Sequence, residues 1–342
     1  MKKLIYYITD HGRGHATRSV AIIRELQKLN IEIIIRNSNS VNFLQKSIPG
    51  IKIISGLTDV GPAIKSNGIS IDEQKTEIII NDWIDRLDKI SKAESEIIKK
   101  IEPNLIISDI SAMPFLAASK TNNNSIAISN FSWYDVLKFL PSSKLEFLKD
   151  AYNKATFAIQ LPLGTSMEHF KLKQKIGLVS RILSLPKKKI REQLKIKDNE
   201  IVILFALGGS DIEVNCKNSK NVRILSMNTT VSNSNHIQLS DWNEGQEIVA
   251  AADLVICKCG YGLISECLTN GIPFCYVSDD NHMEQQAISK ELYKIGLDNR
   301  ISFDDLKNFE INEKYEKIMA SAQKKSLDNE SAINLILQYL KN

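Results

Sequence analysis

The chain has 342 residues and a formal net charge of +4, from 44 basic and 40 acidic side chains. That length predicts two domains, and 43% hydrophobic with 25% charged residues suits a soluble globular protein with a sizeable core. So balanced a charge argues against a nucleic-acid partner, and five cysteines, an odd number, against a disulfide framework. No apolar run reaches the roughly 18 residues of a spanning helix. The apolar core of "MKKLIYYITD" is too short for a signal peptide, so a cytoplasmic location is expected.

In chain order, "LIYYI", "IEIIIR", "IKIIS", "NLIISD", "SIAIS" and "FAIQL" read as strands of a first half. "EIVILFAL", "NVRILSM", "DLVICK" and "PFCYV" read as strands of a second. Their apolarity is continuous rather than alternating, the mark of parallel strands buried on both faces. Helical patterns lie between them. "ATRSVAIIRELQKL" gathers Val20, Ile22, Ile23, Leu26 and Leu29 on one side; the segment after Ile78 gathers Ile80, Trp83, Ile84, Leu87, Ile90, Ile97 and Ile101. Alternating strands and helices predict a doubly wound α/β architecture.

The alternation restarts near residue 200 with "ILFALGGSD", so a second Rossmann-like unit is expected. The predicted domains are 1–180, 181–325 and a final helix at 326–342, with Ile333, Leu337 and Leu340 as its apolar stripe. Residues 56–70 read as a long functional loop or mobile lid. The basic run at Lys187 to Lys189 reads as a solvated helix start, and as a candidate for weak peripheral membrane contact. Cys257 and Cys259 lack a second Cys or His pair at ligand spacing, so no metal is expected.

Three turns carry chemistry. The first, "TDHGRGHATR", follows the first strand at its carboxyl end, where open α/β sheets bind ligands. Gly12 and Gly14 permit a tight turn and close approach of backbone to ligand. His15 stands at a helix start, where the positive dipole end disfavours protonation and leaves a neutral base. Structural capping is the alternative for His15, and an ordinary loop role for His11. The pattern lacks the third glycine of the dinucleotide fingerprint.

The second turn, Gly208 to Asp211, offers the Gly209 and Ser210 amides as an anion nest, or is a simple tight turn. The third, "KCGYGLISE", ends a strand at Lys258. Gly260 and Gly262 make the turn, and the helix expected near Leu263 would receive a diphosphate at its N-terminus. Glu266 lies one turn in, where its carboxylate could take ribose hydroxyls or needs a partner. Glu284 and Gln285 open another helix and could bond sugar hydroxyls.

Together these residues resemble glycosyltransferases of the two-Rossmann (GT-B) fold, whose domains face one another across a cleft. The segment from Trp242 to Gln285 is similar to the nucleotide-sugar signature of plant and animal UDP-glycosyltransferases. The resemblance implies that Trp242 stacks on the base, Cys259, Gly260, Tyr261 and Gly262 hold the diphosphate, Glu266 holds the ribose, and Glu284 with Gln285 hold the hexose. Lys258 stands where that family has His, and Tyr261 and Gly262 where it has Trp and Asn, so Lys258 is expected to supply charge. The first half is similar in the same sense: it implies His15 as base, oriented by Asp109, with helix capping as the alternative for Asp109. Asn130, Ser132 and Trp133 of "SNFSW" are expected at the acceptor pocket.

A closer likeness, through "DHGRGHATR", "SNFSW" and "KCGYGLISE", is to the glycosyltransferase-like N-terminal part of L-arabinokinases and its free-standing microbial relatives. The run Gly12 to Arg18 and the Gly208 turn also resemble UDP-sugar hydrolases of nonulosonate synthesis. The reading is an inverting, metal-independent glycosyltransferase that moves a hexose from a nucleotide sugar, UDP-linked, to an unidentified acceptor. A UDP-sugar hydrolase and a non-catalytic nucleotide-sugar-binding protein are the alternatives. The nucleotide sugar is a co-substrate, and no cofactor is implied.

Overall fold

All ten apolar runs form strands, most of them shielded on both faces; the edge strand Lys52–Ile54 is half-buried at best. In β1 (Lys2–Ile8), the side chains from Leu4 to Ile8 are wholly shielded from solvent, a pattern that suits only a sheet sandwiched between layers. The computed structural model describes residues 1–66, 68–208, 212–217, 219–239, 242 and 244–341. The chain divides into two units. One comprises Met1–Ala63, Ile71–Val179 and Leu327–Asn342; the other comprises Ile64–Ser70 and Ser180–Ser326.

The first unit is built on a parallel sheet of seven strands. After β1 come β2 (Ile31–Arg36), β3 (Lys52–Ile54), β4 (Leu105–Asp109), β5 (Ser125–Ser129), β6 (Phe157–Gln160) and β7 (Lys173–Lys175). Their order is β3-β2-β1-β4-β5-β6-β7. The second unit holds β8 (Ile201–Ala206), β10 (Val222–Ser226), β12 (His236–Gln238), β13 (Leu254–Lys258) and β14 (Phe274–Val277), ordered β12-β10-β8-β13-β14. Beside it lies a three-stranded sheet, β11-β9-β15, from β9 (Glu213–Cys216), β11 (Thr230–Ser232) and β15 (Asn308–Phe309). The sequence reading missed β7, β9, β11, β12 and β15. They are two to four residues long and mostly polar, too short for a hydrophobic period to register.

The helix Glu73–Ile101 starts where the Asp72 side chain accepts a bond from Lys75 N. It buries Ile80, Trp83, Ile84 and Leu87 as expected, then turns Ser91, Glu94, Ser95 and Ile98 inward. Ile90, Ile97 and Ile101 are only half-buried. A buried ion pair accounts for the shift. Arg36 donates from Nε and Nη2 to the two oxygens of Glu94, each at 2.7 Å, and Tyr7 donates its hydroxyl at 2.9 Å. Arg36 also donates to the carbonyls of Ile54 and Ser55, tying the chain beyond β3 to the sheet.

The last helix, Asn329–Lys341, belongs to the first unit and packs against the helix Arg13–Gln27. It buries Ala332, Ile336 and Leu340, leaving Ile333 and Leu337 half-buried. Its apolar stripe is broad enough to have been centred one residue late in the sequence reading.

Residues 56–63 are anchored rather than free. The Asp59 carboxylate, 2% exposed, accepts from Thr9 Oγ1 at 2.7 Å, Trp133 Nε1 at 2.9 Å and the Asp10 amide at 3.2 Å. Asp10 in turn accepts from the amides of Ser38, Asn39 and Thr58. Burial pushes the Asp59 pKa up to about 6, although its three hydrogen bonds pull the other way.

The five cysteines are buried and unbridged. Among the described residues, no helix is long and apolar enough to cross a membrane and no group of three side chains could hold a metal. Lys187 pairs with Asp253 at 2.9 Å and Lys189 with Glu192 at 3.0 Å.

Two stability predictions follow from these buried carboxylates. Glu94→Ala leaves the Arg36 charge buried without its partner and should lower the urea-measured unfolding free energy by roughly 3–5 kcal/mol, with Glu94→Gln costing less. Asp59 binds its proton more tightly folded than unfolded, so its contribution is present in acid and lost as pH rises from about 4 through 6. The loss is about 3 kcal/mol, and Asp59→Asn should flatten this slope in urea titrations across that window.

Candidate active site and nucleotide-sugar site

Strands β1 and β4 lie side by side, but the sheet extends from β1 to β2 on one side and from β4 to β5 on the other. Such a reversal opens a crevice at the carboxyl ends of the central pair. After β1 the chain turns through Gly12, whose φ of +73° lies in the left-handed region open to glycine. The helix Arg13–Gln27 begins there without a side-chain cap, so His15 sits in its first turn rather than capping it.

His15 Nδ1 lies 2.9 Å from Asp109 Oδ1, the last residue of β4. The His15 side chain is 10% exposed and that of Asp109 is completely buried. Asp109 does not cap a helix: its oxygens also accept from Arg18 Nε at 2.7 Å, Arg18 Nη2 at 2.6 Å and Ser19 Oγ at 3.1 Å. The next helix, Met113–Thr121, starts four residues further on without a side-chain cap.

Burial and then the Arg18 charge lower the His15 pKa, and Asp109 only partly restores it. The ring is therefore neutral at pH 7. Burial opposes ionising Asp109, but the charge and hydrogen bonds of Arg18, and then those of His15, outweigh it and hold the carboxyl at about 2. Both polar neighbours of the ring engage Nδ1; no bond to Nε2 is found among the described residues. A neutral imidazole with one nitrogen held by a carboxylate and the other unengaged can accept a proton.

The three residues of the expected acceptor pocket are close by but engaged in structure. Asn130 accepts from Arg18 Nη1 at 2.5 Å and donates to the Leu163 carbonyl. Ser132 and Asp135 form the capping box of the short helix Trp133–Val136. Trp133 is 5% exposed, donates to Asp59, and meets Phe131 and His11 edge-on at 5.5 and 5.6 Å. Phe131 in turn meets the His15 ring edge-on at 5.8 Å. His11 passes so near Gly61 that a Cβ there would lie 2.1 Å from its Nδ1. A Cβ on Gly14 would meet nothing within 4 Å.

The second unit repeats the reversal, between β8 and β13. Gly208 follows β8 with φ +65°, and a Cβ there would come within 3.2 Å of Lys258 Cε at the end of β13. Gly209 and Ser210 lie outside the described residues. Burial lowers the Lys258 pKa while Glu284 raises it, and its Nζ donates to the Gly68 carbonyl at 3.1 Å.

The helix Tyr261–Asn270 starts two residues before the expected Leu263, with Gly260 as its N-cap. Its start leaves amides without intrahelical acceptors, beside a positive dipole end. Cys259 contributes neither amide nor thiolate: its amide bonds the Val277 carbonyl at 2.9 Å, and burial raises its thiol pKa well above the usual value. Glu266, 4% exposed, has a partner in Arg181, whose Nε donates to Oε1 at 2.8 Å.

Gln285 accepts from the Asp279 amide at 2.8 Å, and its Nε2 lies 3.4 Å from the Ile69 carbonyl. Glu284 is half-buried in the first turn of the helix Met283–Lys294, and Trp242 is half-buried as well.

Sequence reasoning leaves Arg18 between a support of the first loop, a partner of donor phosphates and a surface helix residue, and misses Arg181 and His282. His282, 8% exposed, precedes the helix Met283–Lys294 with an unbonded Nδ1, and burial lowers its pKa to about 4. For Arg18 the signal was present: three residues after His15, it lies on the same helix face.

Known proteins bear on this geometry. The model of the family described as glycosyl transferase family 1 matches residues 2–318. An L-arabinokinase of Arabidopsis thaliana is 26% identical over 311 residues, which cover 86% of this chain and 30% of that protein. The chain thus spans under a third of the length of that curated relative. Among solved structures, the calicheamicin glycosyltransferase CalG4 superposes with a TM-score of 0.62 at 14% identity, covering 100% of this chain and 99% of that one. UGT89C1 of Arabidopsis thaliana, complexed with UDP, gives 0.64 at 11% identity with both chains fully covered. These neighbours share the GT-B fold with this chain. The family match across nearly all of the two Rossmann-like units identifies the chain as a member of glycosyl transferase family 1.

Proposed function

We propose that the protein is an inverting, metal-independent glycosyltransferase that takes a hexose from a UDP-sugar, with His15 as general base. The observation that carries this reading is the 2.9 Å contact between His15 Nδ1 and the buried Asp109 carboxylate at the carboxyl ends of β1 and β4. Asp109 holds the proton on Nδ1 and leaves the Nε2 lone pair for the acceptor. The acceptor oxygen attacks the anomeric carbon as its proton passes to Nε2. The bond from that carbon to the phosphate oxygen breaks, and its electron pair leaves with the nucleoside diphosphate. Asp109 stabilises the imidazolium so formed, and base assistance of this kind is worth roughly 10²–10⁴-fold.

On the sugar-donor side, Lys258 and the start of the helix Tyr261–Asn270 meet the charge of the leaving diphosphate. Gly12, Gly14, Gly209 and Ser210 complete the phosphate-binding turns. Trp242, Glu266, Glu284 and Gln285 are assigned to base, ribose and hexose. The family match and the neighbour solved with UDP support a nucleotide sugar as substrate.

His15→Ala should lower turnover by two or more orders of magnitude while thermal-shift titration with UDP-sugar stays as in the unaltered protein; retained turnover would remove the base role. Release of UDP without acceptor, at a rate matching turnover, would make water the acceptor and the enzyme a hydrolase. Lys258→Gln removes a charge-assisted contact of about 1.5–3 kcal/mol, and calorimetric titration with UDP should show affinity roughly ten- to a hundredfold weaker.

A further inference from the structure

The His15 ring nitrogen that faces Asp109 also faces a cation. Arg18 Nη2 lies 2.8 Å from His15 Nδ1, while Asp109 Oδ1 lies 2.9 Å from the same atom. One nitrogen cannot donate to the carboxylate and accept from the guanidinium at once, so Arg18 and Asp109 compete over which tautomer the ring adopts. Arg18 is not free to move aside. It is 3% exposed, grips both oxygens of Asp109 through Nε and Nη2, and is pinned by Asn130 Oδ1 at 2.5 Å and Ser129 Oγ at 3.2 Å.

We propose that Arg18 is a positioning residue for the base: its guanidinium locks Asp109 in place and confronts Nδ1 of His15, so the ring works uncharged and with restrained basicity. In a bare histidine–carboxylate pair, the carboxylate alone would favour the imidazolium. Here the carboxylate is already neutralised by a bidentate cation, and a second positive charge on the ring would sit against the guanidinium. The charged groups that face the ring are Asp109 from β4 and Arg18 from its own helix. Tyr6 from β1 faces Asp109 and stays protonated, held up by burial and by that carboxylate.

The proton remains on Nδ1. Asp109 Oδ1 carries the negative charge, and Nη2 has Asp109 and Ser129 as other acceptors for its two hydrogens. Nε2 is thereby left as the basic atom. A base restrained in this way stays in its working form into mildly acidic solution, and it returns its proton readily once the sugar has been transferred.

This inference rests on the reading of His15 as base, but its test needs no substrate. Nitrogen-15 spectra of the histidine rings, assigned with His15→Asn, would be recorded against pH. In the unaltered protein His15 should appear as the Nδ1–H tautomer, with a midpoint below the ordinary value of about 6.5. In Arg18→Gln the midpoint should rise by about one pH unit or more, and any acidic limb of turnover should move with it. A midpoint at or above the ordinary value in the unaltered protein would overturn the proposal even if the variant failed to fold. So would an Nε2–H tautomer, or a midpoint unmoved in Arg18→Gln. An inactive protein whose ring titrates as described would sink the transferase reading and leave the Arg18 assignment standing.

Discussion

A parallel sheet whose order reverses between two neighbouring strands has one place where the connecting segments part, and both candidate sites of this chain lie there. In the first unit the reversal falls between β1 and β4, and in the second between β8 and β13. The reversal fixes which residues stand at the carboxyl ends of the central strands. Asp109 ends β4 and Lys258 ends β13, so each emerges from a fully buried strand at the rim. The glycine turns are consequences of the same constraint. The helix after β1 must start within a few residues of the strand, which requires the positive φ at Gly12, and the Lys258 stem beside Gly208 leaves little room for a Cβ.

Buried charge then separates the two sites. In the first unit, Arg18, Asp109 and His15 form a cluster in which one cation offsets one anion and the third member stays neutral. A second buried pair, Arg36 with Glu94, lies in the same unit and fixes the chain after β3. The Asp59 carboxylate anchors the loop that follows with hydrogen bonds alone, and burial accordingly raises its pKa to about 6. In the second unit, Lys258 bonds a backbone carbonyl and Glu266 is held by Arg181 through one oxygen. The first cluster holds a proton acceptor in place; the second leaves a cation with capacity for an anion.

Much of this was legible in the sequence. All ten apolar runs are strands, because burial of most of them on both faces erases alternation and leaves a clear signal. His15 could be named because the strand-to-turn pattern places it at a strand's carboxyl end, and Asp109 through the resemblance to GT-B glycosyltransferases. What stayed hidden has a common cause: it depends on partners distant in the chain. Glu94 reads as a solvated helical glutamate until Arg36, 58 residues away, turns it inward and carries the stripe from Ile97 to Ile98. Asp59 sits in a polar stretch that reads as mobile until Thr9 and Trp133 converge on it. Arg18 was visible on the correct helix face, but its bidentate grip on Asp109, 91 residues away, was not. The small β11-β9-β15 sheet lacks even a local signal, since its strands owe their state to pairing alone.

A polar residue at a strand's carboxyl end has two uses, structural and chemical, and hydrogen-bond saturation separates them. Asn130 uses both ends of its amide on Arg18 and Leu163, Ser132 is occupied by its capping box, and the Trp133 indole is taken by Asp59. The Gln285 carbonyl is committed to the Asp279 turn. Each is tied into the fold by these bonds, and replacing it would disturb that fold. Among the described residues, His15 keeps Nε2 unengaged, and Glu266 keeps Oε2. Lys258 makes one bond from an ammonium with three donors. These atoms can change partners without first breaking a structural bond. They divide into an acceptor of protons in one unit and, in the other, a cation and a carboxylate oxygen. On the proposed reading, the first would deprotonate the attacking oxygen and the second would retain the departing nucleotide.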